Sequence, residues 1–207
     1  MTTLPEALIF DCDGTLALTG ELHWRAFEKA FQMQNAVFDY DFYHARGGFA
    51  RPLLIKAWIE ETGADLDHAR LVEDSMNVAA EFAKSGQMVA PNPPVAALAK
   101  AWGPERPACV GSNGERIVVV ATVEGLGLIE NFTDVIAFDD VGVAKPAPDM
   151  FLLAAKRMGV APENCLVLED SQQGIEAAQA AGMDVIDVRL PEGIARVEAM
   201  LAALSAA

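Results

Sequence analysis

The stretch "ALIFDCDGTL" at residues 7–16 decides how the rest of the chain is interpreted. Four apolar residues typical of a buried strand lead into two acids, Asp11 and Asp13, and then into Gly14. In open parallel sheets, ligands bind at the carboxyl ends of the strands. The acid pair by itself fits a solvated turn, a metal site, or a nucleophile beside an acid/base group. The residues that follow the other predicted strands distinguish between these alternatives.

Composition excludes several classes of protein. The chain has 207 residues, of which 52% are hydrophobic, so it can bury the core of one or two globular domains. Thirty acidic residues against 15 Lys and Arg give a net charge of −15, and no basic cluster offsets it. We therefore expect no binding to nucleic acid or to an anionic membrane. A small anionic substrate would need a local cation.

The cysteines and the apolar runs indicate where in the cell the protein is expected. Cys12, Cys109 and Cys165 are too few and too scattered for a disulfide framework or a zinc site, so we interpret them as small buried hydrophobic residues. No signal-peptide pattern occurs, and no apolar run approaches the ~18 residues of a membrane span. A cytoplasmic protein is expected, and a monomer, because no exposed apolar stripe demands a partner.

Beyond about residue 90, short apolar runs alternate with helical patterns. The predicted strands lie within residues 108–112, 134–140, 165–170 and 184–190. The predicted helices lie within residues 115–127, 149–158 and 172–182. This alternation predicts an α/β fold in which helices cover both faces of a parallel sheet.

Residues 17–90 show a different pattern of predicted secondary structure. Helical periodicity and end signals predict helices over residues 21–34, 51–63 and 67–86, and no strand pattern is convincing. The proline-rich stretch 90–95 is interpreted as a stiff return linker. The sequence therefore predicts a discontinuous core, residues 1–16 and 91–207, interrupted after its first strand by an all-helical cap, residues 17–90.

Polar residues follow four of the predicted strands. They are Asp11 and Asp13, Ser112 and Asn113, Lys145, and Glu169 and Asp170. Each group alone is more often a turn, a helix cap or a solvated loop. Their coincidence at one edge of a parallel sheet favours a common site.

The residue types at this edge fit phosphoryl transfer. A hard divalent cation such as Mg²⁺ takes one or two carboxylates together with substrate and water oxygens, which suits Asp11 and Asp170. Ser112 and the N–H groups after it can hold an anion, and Lys145 adds a positive charge suited to a phosphate. Gly14 lets the backbone approach such a group.

Spacing separates the roles of the first two acids. Residues i and i+2 of a strand face the same side, so Asp11 and Asp13 can both address a phosphorus atom. Asp11 is held at the end of the strand and is assigned as the nucleophile. Asp13 lies in the turn and is assigned as general acid toward the leaving oxygen and then as general base toward water.

Four motifs carry a resemblance to a known family. "FDCDGTL", "VGSNG", "KPAPDMF" and "LEDSQQGIEAAQAAGM", in this order, resemble the motifs of the haloacid-dehalogenase-like (HAD) hydrolase superfamily. The helical insert resembles the cap of its β-phosphoglucomutase and phosphatase-like branch, and the later motifs are similar to sugar phosphatases of the fructose-1-phosphatase type. The resemblance implies a Rossmann-like core and an aspartyl-phosphate on Asp11. It also implies Mg²⁺ held by Asp11, the Asp13 carbonyl and Asp170, with Glu169 direct or nearby, and a phosphoryl group held by Ser112 and Lys145 with the assistance of Asn113.

The resemblance extends to the cap. It implies a role near the acid/base group for His23, for which an ordinary place in a helix is equally compatible. The segment "RGGFARP" (46–52) resembles a substrate-specificity loop, with Gly48 for close approach and Arg51 or Arg46 toward the substrate. Two departures stand out: Leu18 and Thr19 replace the acid common after the first motif, and "LVEDSMN" (71–77) lacks the lysine often present in the later cap helix.

Taken together, these observations predict a Mg²⁺-dependent phosphatase of small phosphorylated metabolites, most of all sugar monophosphates. The alternatives are a β-phosphoglucomutase-like mutase, a phosphoglycolate phosphatase-like enzyme, and an inactive phosphosugar-binding module. The absence of a lysine in the cap segment 71–77 favours hydrolysis over mutase activity, because a mutase must bind a second phosphate tightly. The presence of both Asp13 and Asp170 favours phosphoryl transfer over dehalogenation, the reaction for which the superfamily is named.

Overall fold

The structure, a computed structural model, describes residues 4–46, 49–86 and 88–206. Within these ranges the strands are β1 (Ala7–Phe10), β2 (Ala17–Leu18), β3 (Ala90–Pro91), β4 (Ala108–Gly111), β5 (Asp134–Ile136), β6 (Cys165–Glu169) and β7 (Asp184–Asp187). The helices are α1 (Gly20–Met33), α2 (Tyr40–Ala45), α3 (Arg51–Thr62), α4 (His68–Lys84), α5 (Pro93–Trp102), α6 (Arg116–Gly125), α7 (Phe138–Val141), α8 (Asp149–Met158), α9 (Gln172–Ala180) and α10 (Pro191–Ser205).

A parallel sheet in the order β5-β4-β1-β6-β7 forms the centre of the molecule. After β1 the chain builds β4 and β5 on one side, then returns to build β6 and β7 on the other. The order in which strands are added therefore switches sides at β1. The end of β1 lies at this topological switch point, where open parallel sheets bind ligands. This architecture confirms the predicted α/β fold.

Strand β1 is buried on both faces of the sheet. Leu8 and Phe10 pack in a cluster with residues of α5, α6 and α10. Ala7 and Ile9 pack in a second cluster with residues of α8 and α9. Successive side chains of a strand point to opposite faces, so an unbroken apolar run is what a doubly covered strand requires.

The inserted helices have a hydrophobic cluster of their own. It is rich in aromatic residues, and the rings of Phe31 and Phe38 stack with their centroids 4.4 Å apart. A further cluster joins the insert to the core, because side chains of α1 and α4 pack against Val118 and Ala121 of α6. The insert thus folds around its own aromatic residues and also rests on one core helix.

The two connections between the insert and the core run side by side. Ala17 pairs with Pro91 and Leu18 with Ala90, forming the antiparallel pair β2–β3. This pairing supports the proposed division at residues 17 and 90, which stays a prediction. Two-residue strands are too short to show an alternating pattern, which is why the sequence analysis found no strand here.

The structure differs from the sequence predictions in local detail. Residues 90–95 are not a linker throughout, because α5 begins at Pro93, and proline at the first helical position loses no hydrogen bond. Strand β5 ends at Ile136, and the short helix α7 occupies the rest of the predicted strand. Helix α2 was not predicted from the sequence; Asp39 caps it by accepting a hydrogen bond from the Phe42 N–H at 2.6 Å.

Helices α4 and α6 approach each other closely at their carboxyl ends. A Cβ on Gly125 would lie 2.1 Å from the carbonyl oxygen of Ala83, so no other residue fits there without displacing the backbone. We expect Gly125→Ala to destabilise the fold by about 2 kcal/mol through overpacking and to lower Tm by roughly 5 °C. Thermal unfolding followed by circular dichroism measures this change.

The matched control is Gly20→Ala. Gly20 is also helical, and a Cβ there would meet no atom within 4 Å. This variant should be as stable as the wild type or slightly more stable, since alanine favours helices. Equal Tm values for the Gly125→Ala and Gly20→Ala variants would contradict the tight α4–α6 packing.

Candidate active site

Lys145 joins the ends of two strands at the carboxyl edge of the sheet. Its Nζ donates to Oδ1 of Asp11 at 2.6 Å and to Oε1 of Glu169 at 2.7 Å. All three residues are buried. Asp11 directly follows β1, and its backbone N–H donates to the Leu168 carbonyl of the neighbouring strand β6 at 3.0 Å. The ion pairs therefore connect the ends of two adjacent strands with the loop between α7 and α8.

The charges in this group are unbalanced. Burial raises the pKa of Asp11 well above its usual range, and although Lys145 opposes this, Glu169 and Asp170 add to it. Burial works to lower the pKa of Lys145, but Asp11 and Glu169 outweigh it and raise that pKa. One ammonium group thus stands among three carboxylates, and the remaining negative charge favours a further cation.

The donor set at this edge fits a divalent cation. Asp11, Glu169 and Asp170 each offer a carboxylate oxygen, and these oxygens lie within 4.8 Å of one another. Burial, with the charge of Glu169, raises the pKa of Asp170, while a hydrogen bond of 3.0 Å from Thr15 Oγ1 works against this shift. Carboxylate oxygens crowded in this way are what a hard cation such as Mg²⁺ would stabilise.

Two glycines make room for the acids. A Cβ on Gly14 would lie 2.0 Å from Oδ2 of Asp170, and one on Gly174 would lie 1.9 Å from Oε1 of Glu169. Gly14 has a φ of +88°, which also favours glycine. Its predicted contact with phosphate stays a prediction, and the structure gives a separate reason for glycine at this position.

Asp13 lies next to this group and is held by residues from the start of the insert. Its Oδ1 accepts a hydrogen bond from Thr19 Oγ1 at 2.6 Å and lies 3.0 Å from His23 Nε2. Burial works to raise the pKa of Asp13, but these contacts and the charge of Arg51 outweigh it and lower the pKa to about 2. Asp13 is therefore a carboxylate at neutral pH in this arrangement.

Thr19 corrects an expectation from the sequence. In the sequence, Thr19 stands out only because it occupies the region where the family commonly has an acid after the first motif. In the structure the threonine hydroxyl makes the shortest hydrogen bond found for Asp13. A hydroxyl residue six positions after Asp13 is the signal that could have indicated this role.

Ser112 and Asn113 follow β4 and lie beside the acids. Ser112 Oγ is 3.5 Å from Asp13 Oδ2, longer than a good hydrogen bond, and it accepts from the Gly114 N–H at 3.0 Å. Asn113 Oδ1 accepts from the backbone N–H of Lys145 at 2.8 Å. Asn113 therefore positions the lysine in this structure, a contact that sequence spacing could not reveal. The phosphate-binding roles predicted for both residues stay predictions.

Glu169 is held on both of its oxygens. Oε1 accepts from Lys145, and Oε2 accepts from the backbone N–H and the hydroxyl of Ser171 at 2.6 and 2.8 Å. Ser171 also caps α9 by accepting from the Gly174 N–H. The cap of this helix and the position of Glu169 therefore depend on the same serine, which the sequence analysis did not identify.

The cap residues predicted from the resemblance are not all brought to the site. His23 and Arg51 are, since Arg51 Nη2 lies 3.4 Å from His23 Nδ1. Arg46 instead donates to Glu61 at 2.7 Å and lies over the Phe42 ring at 3.7 Å, both within the insert. Gly48 lies outside the described residues.

Cys12 lies between the two acids but packs in the core. Its side chain is fully buried in the cluster that contains Phe10 and Leu16. Burial, with the charges of Asp13 and Asp11, raises the pKa of this thiol well above its usual range. A thiol in such surroundings is a poor nucleophile, which agrees with the packing role interpreted from the sequence.

The chain can now be compared with known proteins. Residues 5–182 match the family of haloacid dehalogenase-like hydrolases. A match over so much of the chain, with the site described above, means that this protein belongs to the haloacid dehalogenase-like hydrolases. The resemblance stated from four sequence motifs is thereby confirmed.

Particular relatives include named phosphatases. The chain is 40% identical over 184 residues to the fructose-1-phosphate phosphatase YqaB of Escherichia coli, covering 88% of this chain and 96% of that protein. It is 29% identical over 187 residues to the phosphorylated carbohydrates phosphatase of Thermotoga maritima, covering 87% and 83%. These names agree with the enzyme class predicted from the sequence.

A solved structure with the same fold is that of CbbY from Rhodobacter sphaeroides in complex with xylulose-(1,5)bisphosphate. The TM-score is 0.76 and the identity 28%, with 88% of this chain and 85% of that chain covered.

Among the described residues of the present chain, no helix is both long enough and apolar enough to cross a membrane.

We expect Gly174→Ala to impair the site, because the new Cβ would displace the carboxylate of Glu169 from Lys145. Turnover of a phosphate ester should fall about tenfold or more, since a misplaced supporting residue loses much of the orientation of the reacting groups. Gly20→Ala again serves as the control, because both glycines lie in the first turn of a helix. Wild-type activity of a folded Gly174→Ala variant would show that Glu169 can move without consequence.

Proposed function

We propose that this protein is a Mg²⁺-dependent phosphatase of small phosphorylated sugars that works through an aspartyl-phosphate on Asp11. The observation that carries the proposal is the arrangement at the end of β1. Asp11 is fixed by Lys145 at 2.6 Å, while Asp13, two residues later, is held separately by Thr19 and His23. Two carboxylates in different surroundings can take two different roles.

In the first step, a carboxylate oxygen of Asp11 attacks the phosphorus atom, and the bond from phosphorus to the sugar oxygen breaks. The leaving oxygen takes a proton from Asp13. The negative phosphoryl group next to Asp13 would raise its pKa from the low value set by His23 and Thr19, so the group can carry the proton that it must donate. In the second step, Asp13 accepts a proton from the water that attacks the aspartyl-phosphate, which restores Asp11 and releases phosphate.

The surrounding residues hold the transferring group. Lys145 and Ser112 are positioned to neutralise and orient the phosphoryl oxygens, and Asn113 keeps Lys145 in place through its backbone. Asp11 and Asp170, with the Asp13 carbonyl and Glu169, would hold Mg²⁺. When bound, the metal supplies further positive charge to the phosphoryl oxygens.

Sugar phosphates are the proposed substrate class because the names of the two phosphatase relatives describe them as acting on phosphorylated sugars. A phosphoglycolate phosphatase-like activity is the second candidate within the same chemistry. We include in the proposal a cytoplasmic, monomeric enzyme. The free thiols of the three cysteines support the cytoplasmic location, because they fit a reducing compartment.

A mutase would use the same core, so the cap has to distinguish it from a hydrolase. The segment 71–77 of α4 has no lysine, and its Asp74 is engaged by Arg70 at 3.0 Å. The insert therefore offers no lysine there for a second phosphate, which supports the hydrolase. An inactive binding module would have no need for both Asp11 and Asp13.

The proposal predicts that the wild type releases inorganic phosphate from sugar monophosphates with Mg²⁺ and loses this activity in EDTA. Asp11→Asn should lower kcat by at least about a thousandfold, because the nucleophile is removed. Asp149→Asn is the matched control, since Asp149 is an exposed acid in the first turn of α8. A screen by phosphate release, with ³¹P NMR of the products, measures both.

Two results would contradict the proposal. Turnover that survives in Asp11→Asn would exclude Asp11 as the attacking group. An isomerised sugar phosphate without release of inorganic phosphate, seen by ³¹P NMR, would establish the mutase instead.

A further inference from the structure

An ion pair between a buried arginine and a partly exposed glutamate joins the insert to the core beside the active site. Arg51, the first residue of α3, donates from Nε to Oε1 of Glu115 at 2.9 Å, and Glu115 directly precedes α6. The arginine side chain is only 5% exposed. The partners come from opposite sides of the boundary between insert and core, and they are 64 positions apart in the sequence.

The pair is connected to the acid/base residue. Arg51 Nη2 lies 3.4 Å from His23 Nδ1, and His23 Nε2 lies 3.0 Å from Oδ1 of Asp13. Asp13 has to reach the oxygen that leaves with the sugar. Arg51 and Glu115 therefore lie on the side of the site that receives the leaving group, away from the transferring phosphoryl group at Lys145.

Arg51 is the cation that a second anionic group of the substrate could use. Lys145 is already engaged by Asp11 and Glu169. Arg116, the residue after Glu115, pairs with Asp140 at 2.7 Å. Glu115, however, already neutralises Arg51, so a second phosphate would have to displace this carboxylate and face its charge.

The same pair suits a hydroxyl group. Arg51 Nη1 is buried and finds no hydrogen-bond partner among the described residues, so within that part of the chain it is a free donor. The bond from Arg51 Nε uses only Oε1 of Glu115, so the other carboxylate oxygen is an acceptor outside that bond. A hydroxyl both accepts and donates a hydrogen bond, which allows it to satisfy such a pair.

We propose that Glu115 is a specificity-determining residue that occupies the place on Arg51 which a second phosphate would take. The enzyme then selects monophosphates with a hydroxyl-bearing leaving group and discriminates against bisphosphates. This inference rests on the proposed function, because it assigns the leaving-group side from the role of Asp13.

The test compares fructose 1-phosphate with fructose 1,6-bisphosphate in the wild type and in Glu115→Gln. The substitution keeps the shape of the side chain and removes its charge, which frees Arg51 for the second phosphate. The ratio of kcat/KM for the bisphosphate to that for the monophosphate should rise about tenfold, as expected for one new charge-assisted hydrogen bond. In Glu115→Gln/Arg51→Gln the gain should disappear, because it depends on the arginine.

Glu28→Gln is the matched control. Glu28 pairs with Arg25 on the surface of α1 at 2.9 Å, the same distance as the pair between Arg51 and Glu115. This variant should keep the wild-type ratio. An unchanged ratio in folded Glu115→Gln, or a gain that persists without Arg51, would overturn the inference.

Binding to the Asp11→Asn background separates this inference from the proposed function. Isothermal titration calorimetry gives the Kd of both esters with and without Glu115→Gln, and it needs no turnover. A wild type that hydrolyses neither these esters nor any other sugar monophosphate of the screen would refute the proposed function. The ratio of the two Kd values would still support the assignment of Glu115 if it shifts toward the bisphosphate, and would refute it if it does not.

Discussion

The buried ammonium group of Lys145 is the interaction on which the rest of the site depends. Burying a charge is costly unless it is paired, and here two carboxylates at the ends of neighbouring strands accept hydrogen bonds from it at 2.6 and 2.7 Å. The lysine thereby fixes the orientation of Asp11 and Glu169. With Asp170 nearby, the pairing also leaves an excess of negative charge that a divalent cation would balance.

The insert contacts the proposed acid/base residue, Asp13. The core supplies Asp11, the proposed nucleophile, and its lysine, whereas Thr19, His23 and, through its charge, Arg51 set the protonation state of Asp13. Because α4 packs tightly on α6, the insert is supported at its carboxyl end as well as at the paired connections. A change in the position of the insert would therefore alter Asp13 before it altered Asp11.

Much of this arrangement could be predicted from the sequence, for physical reasons. The apolar run of β1 requires burial on both faces, and parallel strands bring their carboxyl ends to one edge, so Asp11, Ser112 and Glu169 had to converge. Pairings between side chains could not be predicted, because they depend on tertiary contacts. The contact of Asn113 with the lysine backbone, the hydroxyl of Thr19 on Asp13, and the turn of Arg46 toward Glu61 are examples.

The most direct test of the central claim is to identify the covalent intermediate. Acid quenching of the wild type during turnover of fructose 1-phosphate, followed by proteolysis and mass spectrometry, should place a phosphate adduct on the peptide that contains Asp11 and Asp13, with fragmentation assigning it to Asp11. The adduct should be absent from Asp11→Asn. An adduct on Asp13 or on another residue, or hydrolysis with no adduct under conditions that preserve acyl phosphates, would contradict the account.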